Sequence, residues 1–236
     1  MQKDSLYERL NVLEDRIQNA CDRAGRERSE VHLLPVSKTR SPDVIAAATD
    51  CGLNVFGENR IQEAMAKIPR CPGFLQWHLI GHLQTNKARH AARIFDMAHS
   101  VDSERVMDAL ENACAACGKV MPILLEVNVA GEGSKFGMMP EEVVSVVERA
   151  DGLPHVEPVG LMTIPPFAND AEKVRKYFRA LRILRDKCEE QTGIRLQDLS
   201  MGMSNDFEIA IEEGATWIRI GTALFGKRGS PWKPTE

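Results

Sequence analysis

Eight short apolar or alternating runs recur along the chain, and a helix-like pattern follows each of them. The runs are HLLPVSK (32–38), NVFGE (54–58), QWHLIG (76–81), MAHSVD (97–102), ILLEVNV (123–129), PVGLMTI (158–164), LQDLSMG (196–202) and WIRIG (217–221). Runs of this length and composition read as strands. Ser41 and Pro42 open a helical pattern that Gly52 closes, Ser103 opens another before Gly118, and Pro140 begins a third before Gly152. The pattern that reads as the longest helix, roughly residues 170 to 192, carries Val174, Phe178, Leu181 and Leu184 on one face and ends at Gly193. Right-handed βαβ units in series either close into a barrel or spread into an open doubly wound sheet. No GxGxxG follows the first run, and no GxxxxGK followed by Ser or Thr occurs, which argues against the nucleotide-binding open sheets. The expected fold is therefore α/β, a (β/α)8 TIM-type barrel.

An extra helix is expected ahead of the repeat. Leu6, Leu10, Leu13 and Ile17 recur at helical spacing between charges, predicting an amphipathic helix over residues 3 to 24 that ends near Gly25. No Pro-, Gly- or Ser-rich linker interrupts the alternation, and the tail GKRGSPWKPTE is too short for a second domain, so residues 1–236 are expected to form one domain. A formal net charge of -4 lacks the basic excess that binding to a phosphate backbone requires, so no nucleic-acid partner is expected. The start of the chain is charged throughout and no apolar stretch approaches a membrane span, so neither export nor a membrane is expected. Six cysteines are scattered rather than paired, which fits a reducing cytoplasm. Cys114 and Cys117 form a CxxC, but it sits in an alanine-rich helix end without a second cysteine pair, and no metal site is expected there.

Barrel enzymes place reactive groups at the C-terminal ends of their strands. The polar residues at those ends are Lys38, Glu58, Asn59, His78, Asn128, Thr163, Ser200, Ser204, Arg219 and Thr222. Lys38 ends an otherwise apolar strand, and an ammonium held partly desolvated there loses its proton more readily and can attack an aldehyde. The plainer alternative is a lysine that begins a solvated loop. Phosphate sites in this architecture favour the loops after strands seven and eight. SMGMSND supplies Gly202 and a Ser204 or Asn205 cap, and IGTALFG supplies Gly221, Thr222 and a short helix start. Ordinary helix capping would use the same residues. Arg219 alternates with Trp217 and Gly221, and inside a barrel it needs either an internal partner, Glu126 or Glu208, or a ligand. His78 reads either as a satisfied core histidine or as a site residue.

Taken in order, VSKTR (36–40), FGENRIQE (56–63), WHLIGHLQTNK (77–87), SVDS (100–103), VNVAGEGSKFG (127–137), GLMTI (160–164), LSMGMSND (199–206) and IRIGTALFG (218–226) resemble the pyridoxal phosphate homeostasis protein family, of YggS or PROSC type. The matches span nearly the whole chain. The resemblance implies a barrel like the N-terminal domain of alanine racemase, binding pyridoxal 5′-phosphate (PLP) through a Schiff base, a covalent aldimine, to Lys38. It implies further that the phosphate is held by Ser200, Met203, Ser204, Gly221 and Thr222, that Arg219 approaches the pyridine nitrogen, and that Asn59, His78 and Met162 lie near the cofactor. His82 stands where proline is usual in the family, a departure that bears on the rim near Gln84 and Lys87.

An arginine at the pyridine nitrogen keeps that nitrogen unprotonated and weakens the cofactor as an electron sink. Two-base racemisation also needs a second acid or base on the face opposite the lysine. The two tyrosines, Tyr7 and Tyr177, fall in outer helices, and no extra domain is expected to bring such a group; a cysteine or His82 could substitute in principle, but no cysteine falls at a strand end. The expectation is a cytoplasmic PLP carrier without catalytic residues, monomeric, storing, buffering or delivering cofactor to PLP-dependent apo-enzymes. A PLP-dependent amino-acid racemase is the alternative.

Overall fold

The computed structural model describes residues 3–133, 136–227 and Trp232, with side chains from residue 5 onward. The strands are β1 (His32–Pro35), β2 (Val55–Glu58), β3 (Gln76–Leu79), β4 (Met97–Val101), β5 (Met121–Glu126), β6 (Val156–Met162), β7 (Asp198–Met203) and β8 (Trp217–Ile220). The helices are α1 (Lys3–Ala24), α2 (Pro42–Thr49), α3 (Ile61–Lys67), α4 (Ala88–Ile94), α5 (Glu104–Ala115), α6 (Val143–Asp151), α7 (Arg175–Thr192), α8 (Phe207–Glu212) and α9 (Thr222–Phe225). All strand pairs are parallel, and the sheet order runs β1-β8-β7-β6-β5-β4-β3-β2. The ring closes between β1 and β2 through a bridge of Val36 with Gly57 and a bond from the Ser37 N–H to the Gly57 carbonyl at 3.0 Å. The barrel and the order of the eight strands match the sequence reading, while several strand ends differ, β6 for example starting at Val156 rather than at Pro158.

Alternation along each strand sorts the core into two layers. Phe56, Leu79, Ile218 and Ile220 face the helices and belong to the large outer core. Leu34, Val36 and Ile80 form a separate inner cluster, and Met97, Leu124 and Met162 form another. The remaining interior is polar, filled by His78, His99, Glu126, Ser200 and Arg219, all buried. Helix α1 buries Leu6, Leu10, Leu13 and Ile17. Each such burial contributes about 1.5–3 kcal/mol. The Arg16 guanidinium of α1 pairs with Glu208 of α8 at 2.6 Å and lies over the Phe207 ring, so the extra helix covers the β7–β8 side of the barrel.

Three sequence expectations need correction. The longest helix is α1 with 22 residues, because residues Ala171–Val174 form a 3-10 turn and α7 begins only at Arg175. The first run ends as a strand at Pro35, not at Lys38, because the Arg40 N–H closes a turn onto the Ser37 carbonyl and Thr39 takes a left-handed φ of 67°. The fifth run starts earlier and stops at Glu126, because Asn128 turns the chain by bonding its side-chain amide to the Glu132 carbonyl at 2.9 Å. The six cysteines are free thiols, with Cys114 buried inside the α5 packing and Cys117 exposed. Among the described residues no helix is long and apolar enough to cross a membrane. The expectation about the tail falls on residues that, apart from Gly226, Lys227 and Trp232, lie outside the described part of the chain.

Candidate functional site at the barrel mouth

A cavity of about 790 Å³ opens at the C-terminal ends of the strands. Its floor is Val36, Ile80 and Arg219, and its rim carries Lys38, Asn59, Ser204 and Thr222. The segment after β6, Ile164 to Asn169, forms an apolar wall in which Phe167 is 83% exposed. Two glycines let these walls meet. At Gly81 a Cβ would lie 2.3 Å from the Asn59 carbonyl oxygen, so only a bare backbone lets the chain after β3 pass behind Asn59. Gly202 has φ +90° and a Cβ there would meet the Ala210 Cβ at 2.5 Å, so glycine is required for the end of β7 to lie against α8. The loops after β7 and β8 then join, the Ala223 N–H donating to the Ser204 hydroxyl at 3.2 Å.

Arg219 is held from below. Its Nη1 donates to the Ser200 hydroxyl at 2.7 Å and its Nη2 to the Thr163 carbonyl at 2.9 Å. Ser200 contacts His99 Nδ1 at 2.9 Å, and His99 Nε2 contacts His78 Nδ1 at 3.0 Å. Burial holds His78 down at about 4, with His32 adding to the effect, and burial likewise holds His99 well below the ordinary histidine range. Both imidazoles are thus neutral near pH 7, so each ring offers one N–H donor and one acceptor nitrogen to this chain of contacts. Burial lowers the Arg219 guanidinium to about 10, opposed by the carboxylates of Glu126 and Asp206, so it stays charged. Glu126 is therefore an electrostatic partner of Arg219, as one sequence alternative held, whereas Glu208 is turned outward to Arg16.

The structure brings Lys38, Asn59, Met203, Ser204, Arg219, Gly221 and Thr222 to one cavity. His78, Met162 and Ser200 do not line it. Met162 is packed against Met97 and Leu124, Ser200 is fully buried beneath Arg219, and His78 meets the Trp217 ring edge-on at 4.9 Å. Glu58 points away into a buried cluster with Ser37 and Lys67. Sequence reasoning passed over His99 and Lys67. The strand parity of MAHSV places His99 on the inner face with Met97, and that signal was available. Lys67 sits four residues after Glu63 on a helix, a spacing that ordinarily marks a solvated pair, so nothing local signals its burial.

Glu126 supplies a pH prediction. Burial and the neighbouring Asp102 charge raise its carboxyl to about 7, Arg219 opposing them. The folded state then keeps a proton that the unfolded chain releases, so the Glu126 contribution to stability is full below the ordinary carboxylate range and is lost as pH rises through about 7. Replacing Glu126 with Gln should flatten the stability profile between about pH 5 and 8 in urea titrations. An unchanged slope in that window would show that Glu126 titrates normally.

The model of the family described as alanine racemase, N-terminal domain, matches residues 9–229. A pyridoxal phosphate homeostasis protein of Aquifex aeolicus is 47% identical over 222 residues, covering 94% of this chain and 97% of that protein. One from Escherichia coli K12 is 37% identical over 228 residues, covering 93% and 95%. The structure of PipY from Synechococcus elongatus with PLP bound superposes with a TM-score of 0.81 at 37% identity, covering 94% of this chain and all of that one. Alanine racemase of Clostridium difficile superposes at 0.72 with 18% identity, and this chain covers 57% of its length, a likeness of fold alone.

Proposed function

This chain belongs to the alanine racemase N-terminal domain family, among the pyridoxal phosphate homeostasis proteins, and on that footing we propose that it binds PLP at the barrel mouth and serves its storage, buffering or delivery. The observation that carries this reading is the convergence of Lys38, Arg219 and the joined β7 and β8 loops on one cavity. The residues fit the group. Lys38 supplies an amine on one wall, the Ser204 and Thr222 hydroxyls with the Gly221 backbone supply donors on another, and the buried Arg219 supplies fixed positive charge between them. Met203 and Asn59 complete the rim. His78, Met162 and Ser200 act from beneath, by packing and by holding the guanidinium.

Bound PLP supplies an aldehyde that an amine can capture. Lys38 is the amine that would hold it. Arg219, charged and unable to accept a hydrogen bond, would leave the ring nitrogen unprotonated and limit electron withdrawal. Among the described residues lining the cavity there is no tyrosine, cysteine or histidine to act as a second acid or base. Its one carboxylate, Asp206, accepts the Met203 N–H at 2.6 Å. These features support a carrier over a racemase. The same reading makes the protein a cytoplasmic monomer whose partners are PLP-dependent apo-enzymes.

The test is an absorbance spectrum of the purified protein between about 300 and 500 nm, before and after borohydride, with mass mapping of any reduced adduct. A visible band that borohydride abolishes, leaving the pyridoxyl adduct on Lys38, is the expected result. A colourless protein that takes up no added PLP would refute the reading.

A further inference from the structure

Around Lys38 lies a buried ionic cluster that belongs to none of the cavity walls. Lys67, at the end of α3, has no exposed surface, and its ammonium contacts the Glu58 carboxylate at 2.7 Å and the Glu63 carboxylate at 2.6 Å. Burying a charged lysine costs several kcal/mol unless its partners are well placed, so its position is strongly specified. The third contact of Lys67 is the Ser37 carbonyl oxygen, at 2.9 Å. The same Glu63 oxygen that takes the Lys67 ammonium also accepts the Thr39 N–H, at 2.6 Å.

These two contacts fall on the peptide groups immediately before and after Lys38. The carbonyl of the Ser37–Lys38 peptide is held by the cation of the pair, and the N–H of the Lys38–Thr39 peptide is held by its anion. The Ser37 side chain adds a bond to Glu58 at 2.6 Å. Thr39 is the one described non-glycine residue with positive φ, and such a conformation persists only where its surroundings hold it. On the outer side the Trp232 N–H donates to the Thr39 carbonyl at 3.1 Å, and its ring lies 5.8 Å from the Lys67 ammonium.

We infer that Lys67 and Glu63 are positioning residues for Lys38, an ion pair with its ammonium buried that grips both flanking peptides and aims the lysine side chain into the cavity. A flexible lysine stem loses entropy when it must present its nitrogen at one point, and a fixed backbone on both sides removes part of that loss in advance. Glu58 backs the pair from the barrel side. This inference rests on the proposed capture of PLP by Lys38.

The experiment compares the wild-type protein with Glu63→Ala and Glu63→Gln, each stripped of cofactor and mixed with PLP. Three quantities are read: total PLP bound, the rate at which the borohydride-trappable adduct forms on Lys38, and the circular dichroism spectrum with its melting curve. Glu63 is only partly buried, so its truncation is compatible with folding. Losing a charge-assisted bond that aligns the amine should slow adduct formation by about tenfold in Glu63→Ala. Total PLP binding should change far less. Glu63→Gln keeps an oxygen for the Thr39 N–H and should recover most of the rate. Adduct formation at the wild-type rate in a folded Glu63→Ala protein would overturn the inference while leaving the cofactor site standing. So would a loss in Glu63→Gln as large as that in Glu63→Ala, since the alignment would then not depend on the accepting oxygen. If Glu63→Ala melts before measurement, Ser37→Ala, which frees the same turn from Glu58, should slow adduct formation in the same sense, and an unchanged rate there overturns the inference. Failure of the wild-type protein to form any adduct on Lys38 would instead remove the reading on which the inference stands.

Discussion

Replacing Lys38 with alanine should abolish covalent cofactor capture completely while leaving the barrel folded. The side chain lies beyond the end of β1, in a turn whose structure comes from main-chain and neighbouring contacts: the Ser37 carbonyl takes the Arg40 N–H and the Lys67 ammonium, and the Thr39 N–H is taken by Glu63. Lys38 sits at the cavity rim, outside the packed core, so its truncation should change cofactor-free stability by no more than about 0.5 kcal/mol, the usual range for such a position. The expected readouts are loss of the visible band and of any borohydride-trapped adduct, with unchanged circular dichroism and melting temperature. Retention of the band would move the covalent anchor to another lysine. A collapse of the fold would mean that the Lys38 side chain carries structure that the turn geometry does not account for.

Lys67→Met should be among the most damaging single substitutions outside the strands. It leaves the Glu58 carboxylate, which has no exposed surface, with Ser37 as a neutral partner and its second oxygen already without a protein partner. Breaking a buried ion pair on one side costs about 3–5 kcal/mol, because the surviving charge stays uncompensated. For a chain of this size that corresponds to a melting temperature lower by roughly 10 °C. Burial already pushes the Glu58 carboxyl upward, with Lys67 as the main force opposing it, so the variant should respond by protonating Glu58. Its stability deficit should accordingly shrink as pH falls, since protonation removes the uncompensated charge. The double variant Glu58→Gln with Lys67→Met carries no such charge and should recover most of the loss. Equal melting of wild type and Lys67→Met, or a double variant whose loss equals the sum of the two singles, would show that the pair does not act as a coupled unit.

The two experiments separate function from framework within one short stretch. On these expectations Lys38 should be dispensable for folding and needed for capture, whereas Lys67 should matter for folding and act on capture only through the turn. Arg219 lies between these cases. It lines the cavity, yet its guanidinium is tied to Ser200 and Thr163, and through Ser200 to two neutral histidines. That arrangement explains how a cation persists in the barrel interior with no carboxylate in direct contact among the described residues: neutral dipoles solvate it in place of water, and Glu126 contributes at longer range.

The alternation of strand and helix, the closed ring and the location of the site at the strand C-termini were legible from the sequence, because each rests on local periodicity and on the handedness of βαβ connections. The motif residues at the cavity, Lys38, Asn59, Ser204, Arg219 and Thr222, were legible for the same reason: a strand end fixes which face of the barrel its loop reaches. What the sequence could not determine is which polar side chains turn inward and find each other. Ser37 and Lys67 are 30 residues apart, and His99 and Ser200 are 101 residues apart. Nothing in either local segment marks those contacts. Glu63 and Lys67 carry the spacing of a surface pair, yet the Lys67 ammonium is wholly buried where it meets Ser37 and Glu58, while Glu63 stays partly exposed. Ser200 reads as a phosphate ligand from its motif, but the parity of β7 turns its hydroxyl down to Arg219 and away from the mouth. Local pattern set the scaffold and the rim, while burial, which depends on the whole ring, decided which of the polar groups face a ligand and which hold the others in place.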